Sequence, residues 1–167
     1  MILATHAIVG AAVGRLSSNP LAAFVLGFLS HFVLDAIPHW QYKLISKTYS
    51  SNSLEEDMTL DKRFVRDFAL LGLDCLSGIL FSLLIFQGAS GFSNPSLTIF
   101  FGSLGGVLPD ALQFAFWKVR REPLTTFQKF HEWIHAEWDF DYKSKIGVAT
   151  QIMFAAAVIL LSKILVN

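Results

Sequence analysis

Residues 30–40, SHFVLDAIPHW, place His31, Asp35 and His39 four residues apart at the end of a strongly apolar run. Positions four apart share one face of a helix, so each pair can aim two ligand atoms at one divalent ion. His131 and His135 repeat that spacing in FHEWIHAEW, and His6 and Asp110 stand in two further apolar segments. Zinc takes four N, O or S ligands. His6, His31, Asp35, His39, Asp110, His131 and His135 therefore exceed the needs of one ion, so either a dinuclear site forms or some of them orient the true ligands. Zinc or a similar divalent ion lowers the pKa of its bound water towards 7 and polarises a scissile bond, which is hydrolytic chemistry. Glu132 and Glu137, beside the second histidine pair, are the candidate general bases.

The elements that must position these residues belong to a membrane. The chain has 167 residues, 53% of them hydrophobic and 16% charged, with a mean hydropathy of +0.51; ordinary globular chains are roughly a quarter charged. Its formal net charge is zero, so no basic field invites a nucleic acid. Cys75 is the only cysteine, set in LGLDCLSGIL, and reads as a packing residue. The first fourteen residues lack the basic start of a signal peptide and carry His6, so they are expected to belong to the working protein.

A spanning helix needs about 20 mostly apolar residues. Segments 20–38, 64–87, 95–117 and 146–166 approach this, while 2–16 is apolar but short, with Gly10 and Gly14 forming a small face for close helix approach. The expected fold is an all-α, polytopic bundle of four or five transmembrane helices in a single domain. Lys43, Lys47, Lys62, Arg63 and Arg66 lie on one inter-span stretch, and Lys118, Arg120, Arg121, Lys129, Lys143 and Lys145 on another; 88–94 has no charge. The positive-inside rule puts the two basic stretches in the cytoplasm and 88–94 outside. All seven candidate ligands then gather at the cytoplasmic side, as expected of an integral protein of the inner membrane.

Shifting the sequence by 75 residues aligns SNP at 18–20 with SNP at 93–95, Gly27 with Gly102, Leu29 with Leu104, and Asp35-Ala36 with Asp110-Ala111, seven identities in nineteen positions. A duplicated helical hairpin, about 2–38 and 64–117, is expected. Pro38 and Pro109 stand beside the two aspartates, and because proline removes a backbone bond both helices should end or kink there. Two interrupted segments at matching positions point to a site between the repeats. In PLTTFQKFHEWIHAEW, Thr125 and Gln128 have capping-box spacing. An interfacial amphipathic helix should follow, with Phe127, Phe130, Ile134 and Trp138 as its apolar stripe, His131 and His135 facing the bundle, and Lys129 and Glu132 facing water.

Thr5-His6 with its small-residue helix, Gly27 to Asp35, and the Leu108-Pro109-Asp110 turn resemble the small membrane-bound, metal-dependent hydrolase family of bacteria. That family's Arg-Gly-x-Thr-His-Ser segment has no counterpart here. HFVLDAIPH is also similar, more faintly, to the all-helical zinc-dependent phospholipases C. These resemblances imply metal-assisted hydrolysis of a phosphoester or lipid, with membrane lipids as surroundings. Two other readings follow from the residues: a metal-ion or proton transporter, for which 79–101 offers few polar side chains, and a non-catalytic bundle whose polar groups merely pair.

Overall fold

The computed structural model describes residues 1–86, 94–136 and 144–166. Residues 88–93 of the neutral loop, and Glu137, Trp138 and Lys143, lie outside the described residues. Among those described, six α-helices make up the architecture: α1 (Leu3–Gly14), α2 (Pro20–Asp35), α3 (Lys62–Phe86), α4 (Asn94–Val119), α5 (Leu124–Ile134) and α6 (Ser144–Val166). Between α2 and α3, a stretch expected to be plain polar loop carries two short antiparallel strands, β1 (Lys47–Thr48) and β2 (Asp57–Met58).

Helices α3, α4 and α6 are long and apolar enough to cross a membrane. With 12 and 16 residues, α1 and α2 span only about 18 and 24 Å, short of the roughly 30 Å hydrocarbon core. The reason lies at their ends. Asn19 caps α2 by accepting from the backbone N–H groups of Leu21 and Ala22 at 2.8 and 3.2 Å, with Pro20 as the first helical residue. At the other end α2 stops at Asp35, three residues before Pro38, as expected of that proline. Pro109 behaves differently, because α4 runs through it to Val119 instead of ending.

Helix α1 is the hub. Thr5, His6, Ala7, Val9, Gly10, Ala11, Ala12 and Gly14 are all buried, because its small side chains let neighbours approach on every side. A Cβ added to Gly10 would lie 2.4 Å from the Gly102 carbonyl oxygen, and one added to Gly27 would lie 2.1 Å from that same atom. Helices α1, α2 and α4 thus touch backbone to backbone. Residues matched by the 75-residue shift face each other across the parallel α2–α4 contact, Gly27 against Gly102 and His31 against Gly106. Gly78 of α3 packs on Ala4 and Ala7, and Ser162 of α6 donates to the Ala12 carbonyl at 2.8 Å. Large apolar side chains point outwards instead: Leu21, Val33, Leu84 and Ile164 are at least 65% exposed, as suits a surface facing lipid.

At the end of the bundle that holds the ligands, the β1–β2 segment is pinned down. Lys118 pairs with Asp57 at 2.5 Å, and Arg120 donates to the Glu56 carbonyl at 2.6 Å. Asp67, fully buried in α3, accepts from both the N–H and the hydroxyl of Ser46 at 2.7 Å. Ser46→Ala removes one bond to a charged, buried acceptor, worth about 1.5–3 kcal/mol. The expected result is a lower melting temperature with metal content unchanged, read by differential scanning fluorimetry and elemental analysis.

Candidate metal centre

The candidate ligands come from four helices that meet at one volume. His6 comes from the first turns of α1, His31 and Asp35 from the last turns of α2, Asp110 from the residue after Pro109 in α4, and His131 from α5. The backbone N–H of Ala136 donates to the Asp35 carbonyl at 2.8 Å, closing one of the free carbonyls that end α2 and docking the chain after α5 on the site. His39 follows α2, and His135 ends α5.

Asp35 is the centre of the cluster, 1% exposed, and its two carboxylate oxygens face different histidines. His31 Nε2 and His131 Nε2 lie 2.9 and 3.0 Å from Oδ2, and 3.2 Å from each other. His6 Nε2 and His39 Nε2 lie 3.2 and 3.9 Å from Oδ1. Asp110 Oδ1 is 3.9 Å from His31 Nε2. Two sets of potential ligand atoms, each within 4.8 Å of one another, result: His31, Asp35, Asp110 and His131, and then Asp35, His39 and His135. His6 joins them through Asp35 and stacks on His31 with ring centroids 4.0 Å apart. All seven residues singled out as ligands are brought together.

Proton accounting restricts what this cluster can be. A backbone carbonyl only accepts, so His31 Nδ1 donates to Gly106 at 2.8 Å, His39 Nδ1 to Ile37 at 2.8 Å, and His135 Nδ1 to Ala136 at 3.1 Å. A neutral ring bonded in this way has spent its proton and turns the lone pair of Nε2 inwards, the tautomer that histidine ligands adopt on metals. Burial pushes the His39 imidazole down to about 3, which keeps that ring neutral. His31 Nε2 stands 2.9 Å from a carboxylate oxygen, a contact made favourable by a proton on that nitrogen or by a cation held between the two. Among the described residues neither ring nitrogen of His6 has a hydrogen-bond partner, nor has Nε2 of His39 or Nδ1 of His131. Buried polar atoms without partners are costly, and this donor set of imidazoles and carboxylates suits zinc.

Several surrounding residues escaped the sequence reading. Gln128 is fully buried and donates to Glu132 Oε1 at 3.0 Å, an oxygen that Gln113 of α4 also approaches at 3.4 Å. Glu132, half-buried, therefore faces these two amides. The capping box is corrected too: α5 starts after Pro123 with no side-chain cap from Thr125, and Glu122 accepts from the Thr126 N–H at 3.2 Å instead. Tyr42 donates to Asp74 at 3.0 Å; burial, with that carboxylate beside it, raises the phenol well above its ordinary value. A signal for Gln128 was present, since it stands three residues before His131 and so on the same face. None existed for Tyr42, whose partner is 32 residues away.

One ligand opens outwards. The Asp110 carboxyl is 28% exposed, against 2% for that of Asp35, and it forms part of the wall of a cavity of about 320 Å³ between α3, α4 and residues 41–58. No family model matches this chain, and no curated protein or solved structure matches it either.

Proposed function

We propose that this protein is an integral, multi-pass hydrolase of the inner membrane that uses two divalent ions, zinc first among candidates, which two ligand groups sharing Asp35 would hold at the cytoplasmic end of its bundle. The observation that carries this is the division of the Asp35 carboxylate, Oδ2 facing His31 and His131 while Oδ1 faces His6 and His39. One ion would sit among His31, Asp35, Asp110 and His131, the other among Asp35, His39 and His135. His6 would serve as a further ligand or as a stacking wall for His31. When bound, such ions supply an activated water and stabilise charge on a phosphoryl oxygen.

The chain's own residues do the rest. Gly106, Ile37 and Ala136 hold the rings of His31, His39 and His135 in one tautomer. Glu132 is one hydrogen bond removed from the cavity through Gln113, which makes it a positioning residue. In the reaction a water oxygen bonds to phosphorus, the bond from phosphorus to the leaving oxygen breaks, and that oxygen takes up the proton the water gives away. Against transport stands the backbone contact of α1, α2 and α4 at Gly10, Gly27 and Gly102, which closes the space between those three helices.

Elemental analysis of the purified full chain tests this reading, with two ions per chain expected for the two ligand groups. Stripping with 1,10-phenanthroline should remove metal and abolish hydrolysis of bis(p-nitrophenyl) phosphate, and added zinc should restore both. Protein that folds without metal and turns over nothing would sink the proposal in favour of simple polar pairing.

A further inference from the structure

The cavity beside Asp110 has features that neither packing nor the metal centre explains. Its walls come from one face of α3, with Phe64, Phe68, Gly72 and Cys75 at helical spacing, and from α4, with Asp110 and Phe114 among its residues. At about 320 Å³ it falls within the size range of small-molecule pockets, roughly 300–1,000 Å³, which are typically apolar with a few convergent polar groups.

Gly72 carries the argument further. Gly10, Gly14, Gly27, Gly78, Gly102, Gly105 and Gly106 each sit where an added Cβ would strike backbone of another helix within 3.0 Å, whereas a Cβ on Gly72 would meet nothing within 4 Å. A glycine inside a helix costs about 1 kcal/mol relative to alanine. At Gly72 that cost is not offset by close helix packing, and what the missing side chain leaves is room in the cavity. Phe68, on the same wall, is 61% exposed, so the rim reaches the outer surface of a helix of spanning length.

We propose that this cavity is the acyl-chain subsite of the metal centre, entered from the bilayer by one chain of a membrane phospholipid. Three observations place it there together: walls that are largely apolar, a rim on a lipid-facing helix, and an inner end at Asp110, which also stands in the ligand cluster. A chain lying along Phe68, Gly72 and Phe114 sets its phosphoester beside Asp110. The substrate class is then an amphiphile whose phosphoester is presented by its anchored chain. Only the fate of that phosphoester rests on the hydrolase reading; occupancy of the cavity does not.

The test separates the two. The full chain is placed in nanodiscs with phosphatidylglycerol bearing a diazirine at the end of one acyl chain, irradiated, and the adducts mapped by mass spectrometry. Adducts at Phe68, Cys75 and Phe114 are expected, and Gly72→Phe, which fills the cavity, should reduce them at least tenfold while adducts on outward-facing Leu73 and Leu80 persist. Cys75→Phe serves as the second filling variant, and each variant is checked for a monodisperse elution profile. Adducts confined to Leu73, Leu80 and similar outer positions in the wild type overturn the proposal. Cavity adducts in a protein that hydrolyses no phosphoester uphold the lipid site and refute the enzyme.

Discussion

Asp35→Asn should empty both of the metal positions proposed for this protein at once, and with them abolish the proposed hydrolysis. The expectation follows from the place of Asp35 in both ligand groups, with His31 and His131 on one oxygen and His6 and His39 on the other. Asparagine keeps the shape but withdraws the negative charge that two cations would share. His135→Ala touches only the second group, so it should leave one ion bound and reduced turnover. If the cluster were a set of polar pairs, both variants would change stability and neither would change metal content, because the wild type would hold none. Elemental analysis of the three proteins side by side therefore decides the matter, with the half-loaded His135→Ala protein as the outcome that only a shared carboxylate predicts.

Gly102→Val should prevent assembly of the bundle. Even the first added carbon would lie 2.4 Å from the Gly10 carbonyl oxygen, and the neighbours on both sides are backbone, which cannot rotate away as a side chain can. Overpacking commonly costs about 1–3 kcal/mol and more where nothing can yield. At this site α1 and α4 would be forced apart, and with them His6 and Asp110. The expected result is loss of the monodisperse species on size exclusion together with loss of metal. Gly72→Ala, where a Cβ finds open space, should leave melting unchanged or raise it, as a helix gains from alanine. A Gly102→Val protein as stable as the wild type would show that the contact is not what holds these helices.

The polar cluster was legible because its members are expensive to bury in an apolar helix and recur at four-residue spacing, so His31, Asp35, His131 and His135 announce themselves. The 75-residue match was equally informative, since it put Asp110 at the level of Asp35. The facing of α5 was legible too: His131 is buried towards the bundle and Lys129 is exposed, while Phe130 of the apolar stripe is 43% exposed. In water an amphipathic helix hides its apolar face; against lipid there is no such drive, and the polar face of α5 turns towards the cluster. Of the two outcomes expected at Pro109, an end and a kink, the first does not occur: the proline is buried inside α4, where the backbone bond it cannot make is the one to the Gly105 carbonyl, four residues back. The short strands and the Tyr42–Asp74 bond depend on contacts distant in sequence, which no local pattern encodes.

The burial of α1 also orders events during synthesis. The ribosome makes this helix before every neighbour that covers it, and its last partner, α6, supplies Gln151 beside Thr5 and Ser162 beside Ala12. Until α6 emerges, a twelve-residue helix of small side chains has no complete shelter. A nascent chain stalled before residue 144 would therefore leave Thr5 without Gln151 and the Ala12 carbonyl without Ser162, and α1 would have to wait among its other partners for its last face to be covered.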